Sequence, residues 1–150
     1  MKRGLAMAAR RAGDQSGTSV IELALIMPIL LVTFVGIVDC ARLISAKLTL
    51  QQAAERTAEM ATAGGVASAA FTTLQAEAAA AAGVSTGNVT VTYWLECDGT
   101  RQSDFAGSCT SGQQVGRFAS ISINNTFVPT FPLIYRNGVA LTGAASVRVQ

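Results

Sequence analysis

The sequence predicts an α+β protein in which a long N-terminal helix and a second helix pack on a small antiparallel β-sheet. Strong helix formers fill the stretch from Asp39 to Ala63, which contains no Pro or Gly, and a second Ala-rich stretch ends at Ala82. After Gly87 apolar residues recur at every second position, the spacing of half-buried strands. Because strands with one apolar face need a cover, we expect the two helices to supply it.

The first helix begins with an apolar run. The nineteen residues from Val20 to Val38 contain one formal charge, Glu22. At about 1.5 Å per residue such a run crosses the roughly 30 Å hydrocarbon core of a bilayer. Residues 23–31 are apolar all round, and Pro28 among them is tolerated in membrane helices. The run predicts a transmembrane helix, and a buried core helix of a soluble protein is the alternative.

Charge predicts how this helix is oriented. Residues 1–17 carry a net charge of +3, whereas residues 18–150 carry −1. By the positive-inside rule, the N-terminus is expected in the cytoplasm and residues 39–150 outside it. Since the folded part is not basic, nucleic acid is not predicted as a partner.

Glu22 is unusual because a carboxylate at the centre of a bilayer costs on the order of 2.5–3.5 kcal/mol on insertion scales. It is the fifth residue after Gly17. One interpretation is a shallow side chain solvated by headgroup water. The other is a functional residue.

A basic leader that ends in Gly17, followed by an apolar helix with Glu at its fifth position, resembles the class III signal of type IV prepilins and pseudopilins. The resemblance implies cleavage by the prepilin peptidase between Gly17 and Thr18, so that the helix stays with the mature protein. Thr18 departs from the Phe or Met that more often begins mature pilins. An ordinary secretory signal would need an A-x-A-like site after Val38, and the sequence VDCAR offers none.

The resemblance narrows to the TadE-like minor pseudopilins of the tight-adherence (Tad, or Flp) pilus system. It rests on VIELALIMPILL, GIVDCARL and LQQAAERTAEMA, and the C-terminal runs ISINNTFVPTFPLI and VALTGAASVRVQ fit as well. It implies a leader at 1–17, a transmembrane helix at 18–38 and a periplasmic domain at 39–150, anchored in the bacterial inner membrane or incorporated in the pilus. The implied partners are the prepilin peptidase, a sibling pseudopilin, the inner-membrane platform proteins and the major pilin. An unprocessed, signal-anchored envelope protein whose outer domain binds a partner is the alternative.

Two cysteines bracket a polar loop, CDGTRQSDFAGSC, from Cys97 to Cys109. A disulfide can close this loop in an exported protein and would contribute about 3 kcal/mol in the chain-entropy model. A zinc site is the alternative, although the chain has no His and no C-x-x-C pair. Cys40, at the outer end of the apolar run, is interpreted as a packing residue or the site of an intermolecular bridge.

Periodicity and turn residues place the remaining elements. Gly64 and Gly65 are expected to end the first helix, and the second is predicted from Val66 to Ala82. Strands are predicted around residues 89–95, 119–124 and 139–149, with Gly143 as a possible bulge. The apolar stripes of the two helices are predicted to contain Leu43, Leu50, Ala54, Ala58 and Ala61, and Phe71, Leu74, Ala78 and Ala81.

No enzyme, cofactor or metal site is predicted. The chain lacks His, a G-x-S-x-G nucleophile elbow and the glycine patterns of nucleotide-binding loops. Asp98 and Asp104 are interpreted as solvated loop acids, with calcium binding as the alternative. The segment VPTFPLIY is expected to form a turn whose aromatic residues cap the core, or else to contact a partner or the membrane.

Overall fold

The computed structural model describes residues 18–64, 70–130 and 137–149. It confirms the α+β class, because a long helix and a second helix precede a four-stranded antiparallel sheet. A short 3₁₀ helix, Thr86–Asn88, separates helices from strands. The elements in chain order are α1 (Thr18–Gly64), α2 (Ala70–Ala82), β1 (Val89–Cys97), β2 (Thr100–Gln102), β3 (Val115–Phe127) and β4 (Val139–Arg148).

Helix α1 is one element of 47 residues with Pro28 inside it. At 1.5 Å per residue it is about 70 Å long, far more than the sheet alone can cover. Its C-terminal half packs on the sheet through the predicted stripe, of which Leu43 is half-buried and the other members are buried. Most of these side chains are small, so the helix lies close to the strands.

The strands are ordered β2-β1-β3-β4, and every neighbouring pair is antiparallel. One face of the sheet packs on α1 and α2 and supplies the larger core side chains. The buried strand residues that carry apolar side chains alternate along the chain, as the period of two predicts. They are Val89, Leu95, Cys97, Ala119, Ile121, Ile123 and Leu141.

The sheet runs along the axis of α1. Lys47 contacts Thr142 and Gln51 contacts Ala144, whereas Ala61, further along the helix, shares a core cluster with Val147. The helix and β4 therefore advance in the same direction. We call the end of the sheet near Phe127 and Val139 the proximal end, and the end near Cys97, Val115 and Arg148 the distal end.

Side chains of α1 also protect the outer edge of β4. The Gln51 amide nitrogen donates to the carbonyl of Ala144 at 3.0 Å, and the Ala144 N–H donates to Gln51 Oε1 at 3.3 Å. The Lys47 ammonium donates to the carbonyl of Thr142. These contacts occupy edge groups that would otherwise invite pairing with another chain.

The predicted bulge at Gly143 is wrong. Gly143 pairs with Ile123 in an unbroken register. A Cβ at this position would lie 2.4 Å from the carbonyl carbon and oxygen of Leu50. Glycine is needed here because the helix backbone approaches the strand closely.

The apolar stripe of α2 differs from the prediction at one residue. Leu74, Ala78 and Ala79 are buried, whereas Ala81 is exposed. The buried face is thus rotated towards Ala79. Residues 65–69 and the side chain of Phe71 lie outside the described part of the chain.

Candidate functional site

The N-terminal half of α1 is not covered by the domain. Among the described residues, one helix is long and apolar enough to cross a membrane, Ser19–Ala63, and none of its most apolar stretch is buried. The apolar stretch is therefore not a core helix of this domain. The exposed side chains extend from Val20 to Val38 and include Leu25, Ile29, Phe34 and Ile37.

Two of the three residues predicted to take part in processing, Thr18 and Glu22, lie at the start of this helix. Glu22 is exposed and follows Thr18, the first described residue, by one helical turn. Gly17 and the rest of residues 1–17 lie outside the described residues. Cleavage between Gly17 and Thr18 stays a prediction.

Four residues tie the proximal end of the sheet to the helix just beyond the apolar run. The Thr130 N–H donates to Asp39 Oδ1 at 3.1 Å, and the Arg42 guanidinium donates to Thr130 Oγ1. Arg42 also lies 3.5 Å from Asp39 Oδ1 and 5.8 Å from the ring centroid of Phe127. We call Asp39, Arg42, Phe127 and Thr130 the exit cluster. No local pattern in the sequence pairs residues this far apart, so the cluster was not predicted.

The apolar surface of α1 continues past the exit cluster. Ile44 and Leu48 lie one turn apart and are 58% and 53% exposed, respectively. Cys40 is also exposed and has no disulfide partner. Its interpretation as a packing residue therefore does not hold within this chain, and an intermolecular bridge stays open.

At the distal end the structure joins Cys97 and Cys109 in a disulfide, the pair that the sequence predicts, with Cα atoms 5.6 Å apart. Arg117 of β3 also binds the backbone of this loop. Its Nε donates to the carbonyl of Phe105 at 3.2 Å and its Nη2 to that of Gly107 at 3.1 Å. The loop is thus fixed by a covalent bond and by a guanidinium that binds its backbone.

The two loop carboxylates bind backbone amides. Asp98 Oδ1 accepts from the Gln114 N–H at 2.8 Å, and Asp104 Oδ1 accepts from the Ala106 N–H at 3.0 Å. Within the described ranges no group of three or more Cys, Asp or Glu residues is arranged to hold a metal ion. Asp98 and Gly99 have positive φ angles, 48° and 78°, as a tight hairpin turn between β1 and β2 requires. The dipeptide Asp98-Gly99 is typical of such hairpins, but this hairpin was not predicted from the sequence.

Aromatic residues connect the disulfide loop with both faces of the sheet. On the helix-covered face, Tyr93 lies 5.6 Å from Phe105 between ring centroids, and burial raises the pKa of Tyr93 to about 12. On the other face, Trp94 stacks on Phe118 at 5.5 Å, and the Arg101 guanidinium lies 4.4 Å from the Trp94 ring centroid. The Trp94 indole N–H donates to Glu96 at 2.7 Å. These contacts hold the indole in place at the distal end.

Comparison with known families identifies the N-terminal part of the chain. No curated protein and no solved structure matches the chain significantly. The profile of the TadE-like protein family matches residues 17–59. The match begins at Gly17, covers the uncovered half of α1 and the helical residues of the exit cluster, and ends within the packed half. It confirms the resemblance for the N-terminal runs and identifies residues 17–59 as a TadE-like segment.

Proposed function

We propose that the chain is a membrane-anchored minor pseudopilin that takes part in assembly of a Tad-type pilus. The observation that carries the proposal is the division of α1, whose uncovered apolar half continues without a break into a half packed on an antiparallel sheet. The TadE-like match spans the junction between these halves. A helix of this kind can sit in the membrane and present a folded domain outside it.

The anchor is proposed to be residues 18–38 in the bacterial inner membrane, with the N-terminus cytoplasmic and residues 39–150 periplasmic. The net charge of +3 on residues 1–17 supports this orientation. The Cys97–Cys109 disulfide supports it independently, because such bonds persist outside the reducing cytoplasm. The proposed partner in processing is the prepilin peptidase.

The proposed role in assembly is structural. The apolar surface of α1, together with Ile44 and Leu48 beyond the exit cluster, suits a neighbouring apolar helix. The proposed partners are a sibling pseudopilin, the inner-membrane platform proteins and the major pilin. Catalysis is not proposed, since the polar groups of the distal end bind the domain's own backbone and rings.

Co-purification of the sibling pseudopilin tests this role. We expect Ile44→Asp and Leu48→Asp to reduce its recovery by about tenfold, which corresponds to about 1.4 kcal/mol of binding free energy. Gln52→Asp is the matched control, because Gln52 is an exposed polar residue one turn further along the same helix. Recovery that is unchanged in both apolar variants would contradict packing of this surface on the partner.

Intact mass separates the proposed function from its alternative. Protein extracted from membranes of a host with an active prepilin peptidase should have the mass of residues 18–150. Retention of residues 1–17 in that host would favour an unprocessed, signal-anchored envelope protein.

A further inference from the structure

The exit cluster fixes the height of the domain above the membrane. Asp39 directly follows Val38, the last residue of the apolar run, and its carboxylate accepts from the Thr130 N–H at 3.1 Å. Arg42, almost one turn on, contacts Thr130 and Phe127. Lys47 and Gln51 then hold β4 along the helix. Because these contacts follow the helix over three turns, the domain cannot swing freely about its anchor.

Val128 is an exposed apolar residue within the segment that the exit cluster holds against α1. It lies between Phe127 and Thr130 in sequence and is 66% exposed. In the described part of the chain outside the helices, the other large exposed apolar residue is Val115, which is 41% exposed. Val115 begins β3 at the distal end, and the length of that strand places it about 40 Å from Val128.

The chemistry around Val128 fits the surface of a bilayer. The Arg42 side chain is 55% exposed, and its guanidinium contacts Phe127 and Thr130, which lie on either side of Val128 in the sequence. An exposed apolar residue whose neighbour in the sequence contacts a cation fits the boundary between acyl chains and phosphate groups. Asp39 follows the last residue of the apolar run of α1 and binds Thr130, so insertion of this run would put the surface of the bilayer at the level of the segment that contains Val128.

We propose that the proximal end of the domain rests on the outer surface of the bilayer that α1 crosses, with Val128 among the lipid headgroups. This inference rests on the proposed membrane insertion of α1 and goes beyond it, since an inserted helix can also carry a domain that stands clear of the lipid. The distal end, with its disulfide loop, then points away from the membrane.

Three full-length proteins with a single reactive cysteine test the proposal. The native chain has exposed Cys40, and the other two combine Cys40→Ser with Val128→Cys or Val115→Cys. Cys97 and Cys109 do not react, because they form the disulfide. Each protein carries an environment-sensitive fluorophore and is reconstituted at high dilution in phosphatidylethanolamine and phosphatidylglycerol vesicles. These vesicles contain a phosphatidylcholine with a nitroxide on its headgroup.

The label at position 40 reports insertion of α1 into the bilayer. The label at position 128 reports contact of the proximal end of the domain with the lipid headgroups. We expect several-fold quenching by the nitroxide lipid at positions 40 and 128 and none at position 115. Quenching at 40 without quenching at 128 overturns the inference but leaves the anchor intact, whereas no quenching at 40 contradicts the proposed function itself. Quenching at position 128 that is no stronger than at position 115 would place Val128 in solvent. A signal at position 128 that changes with the density of protein in the vesicles would assign Val128 to a contact with another protein.

Discussion

The contact between α1 and β4 depends on small residues, Gly and Ala, on both elements. Gly143 faces the backbone of Leu50, and the helix contributes Ala53, Ala54 and Ala58 to the same core cluster. Small residues on both elements let Leu50 itself reach the interior, where it is 2% exposed. The strand can therefore lie beside the helix closely enough for Gln51 to bind Ala144.

Substitution of Gly143 by Ala should be strongly destabilising. Its Cβ would lie 2.4 Å from the Leu50 carbonyl, and backbone atoms cannot move aside as a flexible side chain can. We expect the free energy of unfolding to fall by about 3 kcal/mol, at the upper end of overpacking costs. Gly87→Ala is the control, because a Cβ there meets nothing within 4 Å. Chemical unfolding in detergent measures both, and equal stabilities would mean that the helix and strand separate easily.

Tyr93 should make the domain sensitive to alkali. Desolvation by burial raises its pKa from the ordinary value of 10.0 to about 12, so folding favours the neutral phenol. The stability that depends on this shift is fully present below pH 10 and is lost as the pH rises through about 12. In a Tyr135→Phe variant, Tyr93 is the one remaining tyrosine, and its absorbance titration should have a midpoint near pH 12. A midpoint near 10 in the folded protein would contradict the burial of its hydroxyl. Tyr93→Phe should remove the part of the alkaline loss of stability that depends on this phenol.

Residue patterns predicted some of these positions and not others. Leu50, Ala54, Ala58 and Ala61 follow from helical spacing, because burial of a helix face depends on local periodicity. Gly143 was read as a bulge, since its cause is a helix more than ninety residues earlier in the chain. The same separation concealed the exit cluster, in which Asp39 and Thr130 meet.

At the scale of elements, the strands were predicted where alternation is clean. Ala119 to Asn124 alternates and lies within β3, but β3 extends from Val115 to Phe127. Its ends carry Gly, Arg and Asn residues whose strand conformation depends on pairing with β1 and β4. The three-residue strand β2 has no apolar face at all, and it exists because the Asp98-Gly99 turn folds it back on β1.

The disulfide loop is the element whose stability is easiest to test. Replacing both cysteines of the bridge, Cys97→Ala with Cys109→Ala, should lower the free energy of unfolding by about 3 kcal/mol, because the unfolded chain regains the entropy that the bridge removes. Cys40→Ala is the control, since it leaves the bridge intact. Non-reducing peptide mapping should first recover the peptides of Cys97 and Cys109 linked. Free alkylation of both thiols without reductant would contradict the bridge and the proposed exported location.

At the scale of the whole molecule, one continuous helix connects the proposed anchor with the core of the domain. The contacts of Asp39, Arg42, Lys47 and Gln51 allow a tilt or rotation of the apolar half to be transmitted to the sheet. The sequence predicted both halves of this helix from the length of the apolar run and from the helix formers and helical spacing that follow it. It could not predict which end of the sheet lies near the membrane, because that depends on long-range contacts between α1 and the strands.

Substitution of Glu22 tests whether the uncovered half of α1 has a role besides anchoring the chain in the bilayer. Cleavage after Gly17 would expose an α-amino group on Thr18, one helical turn from Glu22. That cation, or the equivalent one on a neighbouring pilin-like helix, can offset the cost of placing the carboxylate in lipid. If the cation belongs to the neighbouring helix, the cost of burying Glu22 is reduced only when the two helices are associated. Glu22 would then favour association with the partner.

We therefore expect Glu22→Ala to insert at least as well as the native chain, because it removes a charge, and to recover less of the sibling pseudopilin. Glu22→Asp should be intermediate, since it keeps the charge but shortens the reach. Membrane fractionation, intact mass and co-purification of each variant measure insertion, cleavage and association separately. Native levels of partner recovery and piliation for Glu22→Ala would show that Glu22 is a shallow, solvated residue, and packing of α1 on its partners would then depend on its apolar surface alone.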